Sequence, residues 1–536
     1  MWRRGEEVFA EVVLPEEQRQ DAGRFGIHPA LLDAALQAGT LGAAATAVEQ
    51  PGEPVMPFAW NRVVLHAVGA SVLRVRLVPG GPSTVSLEAG DEGGGLVITM
   101  DSLVFRAVSA EQPDTAVGDS LFRVDWTELS PAAGESAPSW TPVMTADEVV
   151  APADGGPAVA VLTAVGGDDT ALALVSRALG VVQAWLAECG SGQSRLVVVT
   201  RGAVPAGGDG TVTDPSAAAV WGLVRTAQAE NPGRIILLDL DPAADGGAEA
   251  VLGSVLGSVL ASGEPQIAVR GSSLSVPRLV RIADDISDSP IAFGAEGTVV
   301  VSGAGALGGL MAKHLVARHG VRRLMLASRR GRDADGVADL VAELTEQGAE
   351  VSVVACDVSD RAQVAALLRS VPEGHRLTGV VHTAGVFDDG VIEALTPDRL
   401  AGVFGPKVDA VRHLDELTRG LDLDAFVVFS SIAGVFGGAG QGNYAAANAF
   451  LDGLMASRRA AGLPGTSLAW GLWEETLGMA THLSSVDRAR ASRGGVLAIS
   501  AVEGMELFDA AVGSGQALLV PVKLDLRGLR AGAAAG

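Results

Sequence analysis

At 536 residues the chain is too long for one hydrophobic core, which sets an expectation of three or four domains. With 48% apolar and 19% charged residues it reads as globular, and a formal net charge of −24 argues against nucleic acid or an anionic membrane as partner. Cys189 and Cys356 are the only cysteines and lack metal-ligand spacing, so a reducing cytoplasm, no disulfide framework and no metal site are expected. The opening stretch "MWRRGEEVFAEVVLPEE" carries no apolar signal segment, and apolar runs such as that at 251–262 are too short or too glycine-rich to span a bilayer.

Residues 1–110 read as strands around one helix. "EVFAEVVL", "RVVLHAV", "VLRVRLV", "STVSLEAG" and "LVITMDSLVFRAV" are β-rich and separated by Gly and Pro turns, while "HPALLDAALQAGTLGAAATAV" (28–48) is the single long helical pattern. A polar linker follows at 111–120. From 121 to 290 continuous apolar runs ("AVAVLTAV", "RLVVVTRGAV", "RIILLDLD", "PQIAVRG") alternate with helical stretches, the pattern of a buried parallel sheet. From 291 to 530 a second such series begins, with strands "TVVVSG", "RRLMLASR", "EVSVVACD", "GVVHTAG", "DAFVVFSS", "TSLAWGLW" and "ALLVPVKLD". The fold class is therefore α/β, with two consecutive doubly wound units behind a smaller α+β unit. The stretch 474–497 breaks the alternation and reads equally as a lid over a site or as a surface insertion.

"TVVVSGAGALGGLMAKHL" sets Gly303, Gly305 and Gly308 between an apolar strand and a helix, with Ala306 and Leu307 opening that helix. Such a turn lets backbone approach a pyrophosphate and presents a helix N-terminus to it; the competing reading is an ordinary turn in a glycine-rich chain. The next strand ends in Ser328, Arg329 and Arg330 where a NAD site would offer an acid, so a 2′-phosphate and NADPH are favoured, although Arg330 also reads as a solvated base. Asp357, followed by Val358, is placed to accept from an adenine amino group, and Thr383, Ala384 and Gly385 are small residues facing the cofactor.

Three lysines (Lys313, Lys407, Lys523) against 36 arginines, one tyrosine and four asparagines make each survivor noticeable. Tyr444 and Asn448 lie four apart in "GQGNYAAANAF", on one face of a helix, where they form either a helix entry or a proton donor beside a positioning amide. Ser431 in "VFSSIAG" lies thirteen residues earlier. This spacing resembles the short-chain dehydrogenase/reductase family, in which Ser holds the substrate carbonyl and Tyr donates the proton. With Lys407 in "FGPKVDA" and Asn448 in the usual place of Lys, it resembles one branch, the ketoreductase domain of modular polyketide synthases.

"GVVHTAGVFDDGVI", "PKVDAVRHLDELT" and "SLAWGLW" are similar to that domain, while "GIHPALLDAALQA" and "MPFAWNRVVLHAVGASVLRVRL" resemble the C-terminal hotdog half of the dehydratase that precedes it. The resemblance implies two Rossmann-like subdomains, the first truncated and structural, the second binding NADPH. It implies reduction of a β-ketoacyl chain on the phosphopantetheine of an acyl carrier protein, alongside other polyketide synthase domains. Tyr444, Ser431, Lys407 and Asn448 would be catalytic. Phe387, Asp388 and Asp389 resemble the B-type motif, and Phe436, Gln441 and Met479 would border the substrate; the implied product is a 3R-hydroxyacyl thioester.

Two departures qualify this. The loop "SGAGALGG" is one residue shorter than the family's, which leaves a redox-inactive scaffold or carrier-docking domain as the alternative. A stand-alone reductase of small ketones is a further reading, disfavoured by the hotdog half. Asp33 and Gln37 match a dehydratase D-x-x-x-Q element whose partner histidine is missing, and His28 precedes the same helix, so no dehydration by this chain alone is expected.

Overall fold

The computed structural model describes residues 2–5, 7–42, 55–81, 84–107, 119–129, 138–151, 159–167, 169–189, 194–207, 210–244, 247–282, 293, 296–474 and 495–526. The chain divides into two compact units, Met1–Thr115 and Ala116–Gly536.

In the first unit, strands β1 (Trp2–Arg4), β2 (Glu7–Val13), β3 (Val55–Leu65), β4 (Val72–Gly81), β5 (Thr84–Gly90) and β6 (Leu96–Ala107) form an antiparallel sheet in the order β1-β2-β4-β5-β6-β3. Register pairs Val8 with Leu77 and Leu77 with Leu87, so the period-two alternation sends one apolar row inward. That row packs on Leu31, Ala35 and Leu36 of helix α1 (Pro29–Gly42). On the other face Arg76 bridges Glu7 and Glu88 across three strands.

The second unit is built on one sheet of fourteen strands among the described residues. Its first half holds β7 (Leu121–Leu129), β8 (Thr141–Pro142), β9 (Val159–Thr163), β10 (Arg195–Arg201), β11 (Ile235–Leu240), β12 (Gln266–Arg270) and β13 (Ser273–Arg281). Helices α2 (Ala171–Glu188), α3 (Pro215–Glu230) and α4 (Ala248–Ser262) connect them. Its second half holds β14 (Thr298–Ser302), β15 (Arg323–Ser328), β16 (Glu350–Ala355), β17 (Leu377–His382), β18 (Ala425–Ser431), β19 (Thr466–Trp470) and, after the short β20 (Val496–Leu497), β21 (Leu518–Pro521). The interleaved helices are α5 (Ala306–Ala317), α6 (Val337–Glu346), α7 (Arg361–Arg369), α8 (Pro397–Phe404), α9 (Ala410–Thr418), α10 (Gly442–Ala460) and α11 (Ala501–Gly513). Each apolar run expected to be a parallel strand is one, and β11, β14 and β17 are buried along their whole length, as helices on both faces require.

What the linear pattern did not reveal is the seam. β7 pairs antiparallel with β13 on one side and with β21 on the other, so the two doubly wound halves share a continuous sheet. Above the seam α3 lies on α10. A Cβ on Gly222 would sit 2.2 Å from the Ala445 carbonyl oxygen, and only a hydrogen there permits the approach. One described helix, α2, is long and apolar enough to cross a membrane, contrary to the reading of apolar runs as too short. Its apolar stripe (Leu174, Val175, Ala178, Val181, Val182, Trp185) is instead buried in the core of this unit.

Candidate active site

Parallel register brings the carboxyl ends of β14 to β18 to one edge of the sheet: Ser302 aligns with Ala327 and His382, Ser328 with Ala355. The loops leaving that edge carry the expected cofactor residues, at the place where open α/β sheets bind ligands. Gly303 has φ of 99°, and a Cβ there would lie 2.7 Å from the Ala384 nitrogen. Gly308 packs so closely that a Cβ would meet the Gly303 carbonyl oxygen at 1.7 Å. Between them Gly305 caps α5 without a side-chain hydrogen bond and faces open space. The amide groups of this helix start are therefore free of a competing side chain, which suits a pyrophosphate.

Thr383 braces the turn by donating to the Ser302 and Gly303 carbonyls at 3.1 and 3.0 Å. At the end of β15 the two arginines part company. Arg330 is tied to Asp335 at 2.8 Å, whereas Arg329 is exposed and forms no ion pair among the described residues. Asp357 accepts from the Ser359 hydroxyl at 2.6 Å and its amide at 3.0 Å, which holds its carboxyl below the usual range; Val358 beside it is buried.

The catalytic candidates meet at the next two strands. Lys407 stands on a π-helical turn, Gly405–Asp409, between α8 and α9, a widened turn of the sort found at functional sites. Its side chain is buried; Nζ donates to the Asn448 Oδ1 at 2.8 Å and the Phe429 carbonyl at 3.1 Å, and lies 5.1 Å from the centre of the Tyr444 ring. Asn448 in turn donates to the Tyr444 carbonyl one helical turn back at 2.8 Å. One amide thus fixes both the ammonium and the register of the phenol.

Burial pushes the Tyr444 phenol up to about 12, opposed by hydrogen bonding from Asn448 and Ser431. Burial brings Lys407 down to about 7, opposed by the negative charge of Asp452. Asp452 sits one turn beyond Asn448 on α10, accepts from the Ser467 hydroxyl at 2.5 Å, and is raised by burial to about 6. His382, sharing a 2.6 Å contact between Nδ1 and the Ser302 hydroxyl, is kept neutral by burial and by Lys407.

A cavity of about 460 Å³ opens onto this cluster. Leu307, Thr383, Gly385, Phe387, Asp389, Lys407, Ser431, Phe436, Gln441 and Tyr444 all line it, so ten of the residues singled out in the sequence converge there. The Phe387 ring lies 4.6 Å from the Tyr444 ring, and Gln441 donates to Asp389 at 3.3 Å. Asp388 does not line this cavity: its carboxylate is bound to Arg399 at 2.7 and 3.0 Å. Asp33 and Gln37 belong to the first unit, where Gln37 donates to Asp33 at 2.8 Å. Met479, and residues 475–494 of the stretch 474–497 read as a lid or a surface insertion, lie outside the described residues. The sequence reading missed Asp452, Arg225 and Glu230. Asp452 had a signal, a third polar residue at helical spacing after Tyr444 and Asn448. The other two come from α3, with no motif to betray them.

Fold and site together define a Rossmann-type oxidoreductase, and the fold implies a nicotinamide cofactor. Residues 297–475 match the model described as "KR domain", residues 124–279 that of "Polyketide synthase extender module SpnB, Rossmann fold domain", and residues 1–115 that of "Polyketide synthase dehydratase N-terminal domain". A solved structure of A-type ketoreductases from a modular polyketide synthase is 34% identical, covering 76% of this chain and 94% of its own, with a TM-score of 0.68. The first ketoreductase of the tylosin polyketide synthase is 31% identical over 78% of this chain and 96% of its own, with a TM-score of 0.66.

The polyketide synthase GfsA of Streptomyces halstedii is 47% identical over 99% of this chain, and the spectinabilin polyketide synthase system protein NorA' of Streptomyces orinoci 44% over all of it. The chain spans only 7% and 16% of those two relatives. It belongs to the ketoreductases of modular polyketide synthases, with a dehydratase fragment ahead of the ketoreductase.

Proposed function

We propose that this chain reduces the β-keto group of an acyl thioester carried on the phosphopantetheine of an acyl carrier protein, with NADPH, giving the 3R-hydroxyacyl thioester. The observation that carries it is the buried Lys407–Asn448–Tyr444 relay, with Ser431, at the wall of one cavity. The loop at Gly303–Gly308 would hold the pyrophosphate, Ser328 and Arg329 the 2′-phosphate, and Asp357 with Val358 the adenine. The open start of α5 and the exposed Arg329, which forms no ion pair among the described residues, fit such a group despite the shorter loop, which weighs against the redox-inactive reading. When bound, NADPH supplies a hydride to the β-carbon.

The protein's own share is positioning and protonation. Ser431 orients the ketone oxygen, and Tyr444 gives its phenolic proton to the alkoxide as it forms. Lys407 as ammonium favours the phenolate left behind, and Asn448 holds Lys407 in place. The 3R outcome is supported by Asp389 and Phe436 on the cavity wall, in the B-type pattern. The solved relatives include A-type, A1-type and C2-type ketoreductases, so chirality is decided on this chain's own product.

The marks at Asp33 and Gln37 support the C-terminal half of a dehydratase, although the matching model's description names an N-terminal domain. Asp33 is bonded by Gln37 and by no base among the described residues, so no dehydration by this chain alone is expected. Two free, buried thiols suit a reducing cytoplasm. The test is cofactor consumption with a diketide β-ketothioester, NADPH against NADH, followed by chiral analysis. Oxidation of NADPH with a 3R product is expected; no turnover and no binding at millimolar NADPH would leave only the scaffold reading.

A further inference from the structure

The first half of the Ala116–Gly536 unit, which has no glycine fingerprint, nevertheless reaches the substrate cavity through the last turn of α3. Ala229 lines the cavity, and Glu230 follows it. A carboxylate is disfavoured at a helix C-terminus, where the exposed carbonyls already carry negative charge. Glu230 finds its donors elsewhere. One oxygen accepts the Gly440 amide at 2.7 Å, and the other accepts the Ile392 amide at 2.8 Å. These amides belong to the two segments bearing Asp389 and Gln441, which are joined directly by the Gly390 amide donating to the Gly440 carbonyl at 2.7 Å. Arg225, a turn earlier on α3, adds a bond to the Gly434 carbonyl at 2.6 Å, and Gln183 of α2 donates to the Ile392 carbonyl at 2.8 Å.

We infer that Glu230 is a positioning residue for substrate specificity: its carboxylate pins the two rim segments against each other and so fixes the wall along which the β-ketoacyl chain approaches Tyr444. The inference rests on the proposed function for its substrate class, but the geometry concerns the rim alone. No cofactor-loop residue bonds to Glu230 among the described residues, so cofactor affinity is a separate readout. When one oxygen becomes an amide, the new NH2 faces an N–H and that bond is lost, while the bond to the remaining oxygen loses its charge assistance.

The test uses the full chain carrying Glu230→Gln, an isosteric change, with a diketide β-ketothioester. KM for the thioester is expected to rise about tenfold, with a measurable share of the minor hydroxy diastereomer. NADPH affinity should stay within about twofold, as for a distant, independent site. Unchanged KM and product ratio, or a loss confined to thermal stability, overturns the inference. Amide hydrogen exchange gives an independent reading: at least one of the Ile392 and Gly440 amides should exchange about tenfold faster in E230Q, and parent-like rates at both overturn the inference. A parent chain that reduces no thioester sinks the proposed function instead, and the exchange rates then decide the role of Glu230 alone.

Discussion

Tyr444 and Lys407 are matched by their surroundings rather than by their own chemistry. With the phenol pushed up to about 12, the proton to be donated is present throughout the neutral range. The ammonium, brought down to about 7, is the group that changes there. In the proposed mechanism Lys407 is charged below that value and favours the phenolate formed as Tyr444 gives up its proton; above it this support is gone. Turnover should therefore fall as pH rises through about 7 while the thermal midpoint does not, which a kcat–pH profile read beside a melting curve will check. Stability moves the other way. An unfolded Lys407 binds a proton that the folded one has lost between about 7 and its ordinary value of 10.5, so this residue's contribution to stability improves over that window. Tyr444→Phe keeps the ring against Phe387 and removes only the hydroxyl: kcat should drop roughly a hundred- to ten-thousand-fold with the fold intact, measured by cofactor oxidation and circular dichroism.

At the scale of elements, the site depends on how closely α3 and α10 approach. The Gly222–Ala445 contact has backbone on one side and no flexible side chain to give way. Gly437, with φ of 77°, makes a similar approach in reverse: a Cβ there would lie 2.3 Å from the Arg225 carbonyl oxygen. The two glycines sit on opposite sides of the same contact, one on α3 and one just ahead of α10. Gly222→Ala forces α10 outward along the turn that carries Tyr444 and Asn448. A loss of about 1–3 kcal/mol is expected from such overpacking, read as a lower denaturant midpoint, together with reduced turnover because the relay shifts with the helix.

For the second unit as a whole, β7 is the strand on which both halves depend. A chain beginning at residue 130 would leave β13 without its partner over eight paired positions and β21 without its antiparallel neighbour. Two open sheet edges with unpaired backbone invite association between molecules. Size-exclusion chromatography should find residues 130–536 aggregated and residues 116–536 monodisperse; a monodisperse, active shorter chain would show the seam to be dispensable.

Much of this was legible in one dimension because its cause is local. Apolar runs broken by glycine and proline specify strands, glycines at fixed offsets specify the turn into α5, and the rarity of Tyr, Asn and Lys drew attention to Tyr444, Asn448 and Lys407. The order of strands and helices, the loop suited to a dinucleotide, and the residue types of the proposed proton relay are all written in the chain. Folding in three dimensions is what makes β7 close two halves into one sheet, turns Asp388 to Arg399 while Asp389 faces the cavity, and brings Asp452 to Ser467 and Glu230 to the Gly440 amide. Spacing along a chain reports neighbours within a turn or a strand. Side chains that meet across more than a hundred residues, as Glu230 meets Ile392 and Gly440, leave no periodic trace, because their partners are backbone amides that every residue but proline provides.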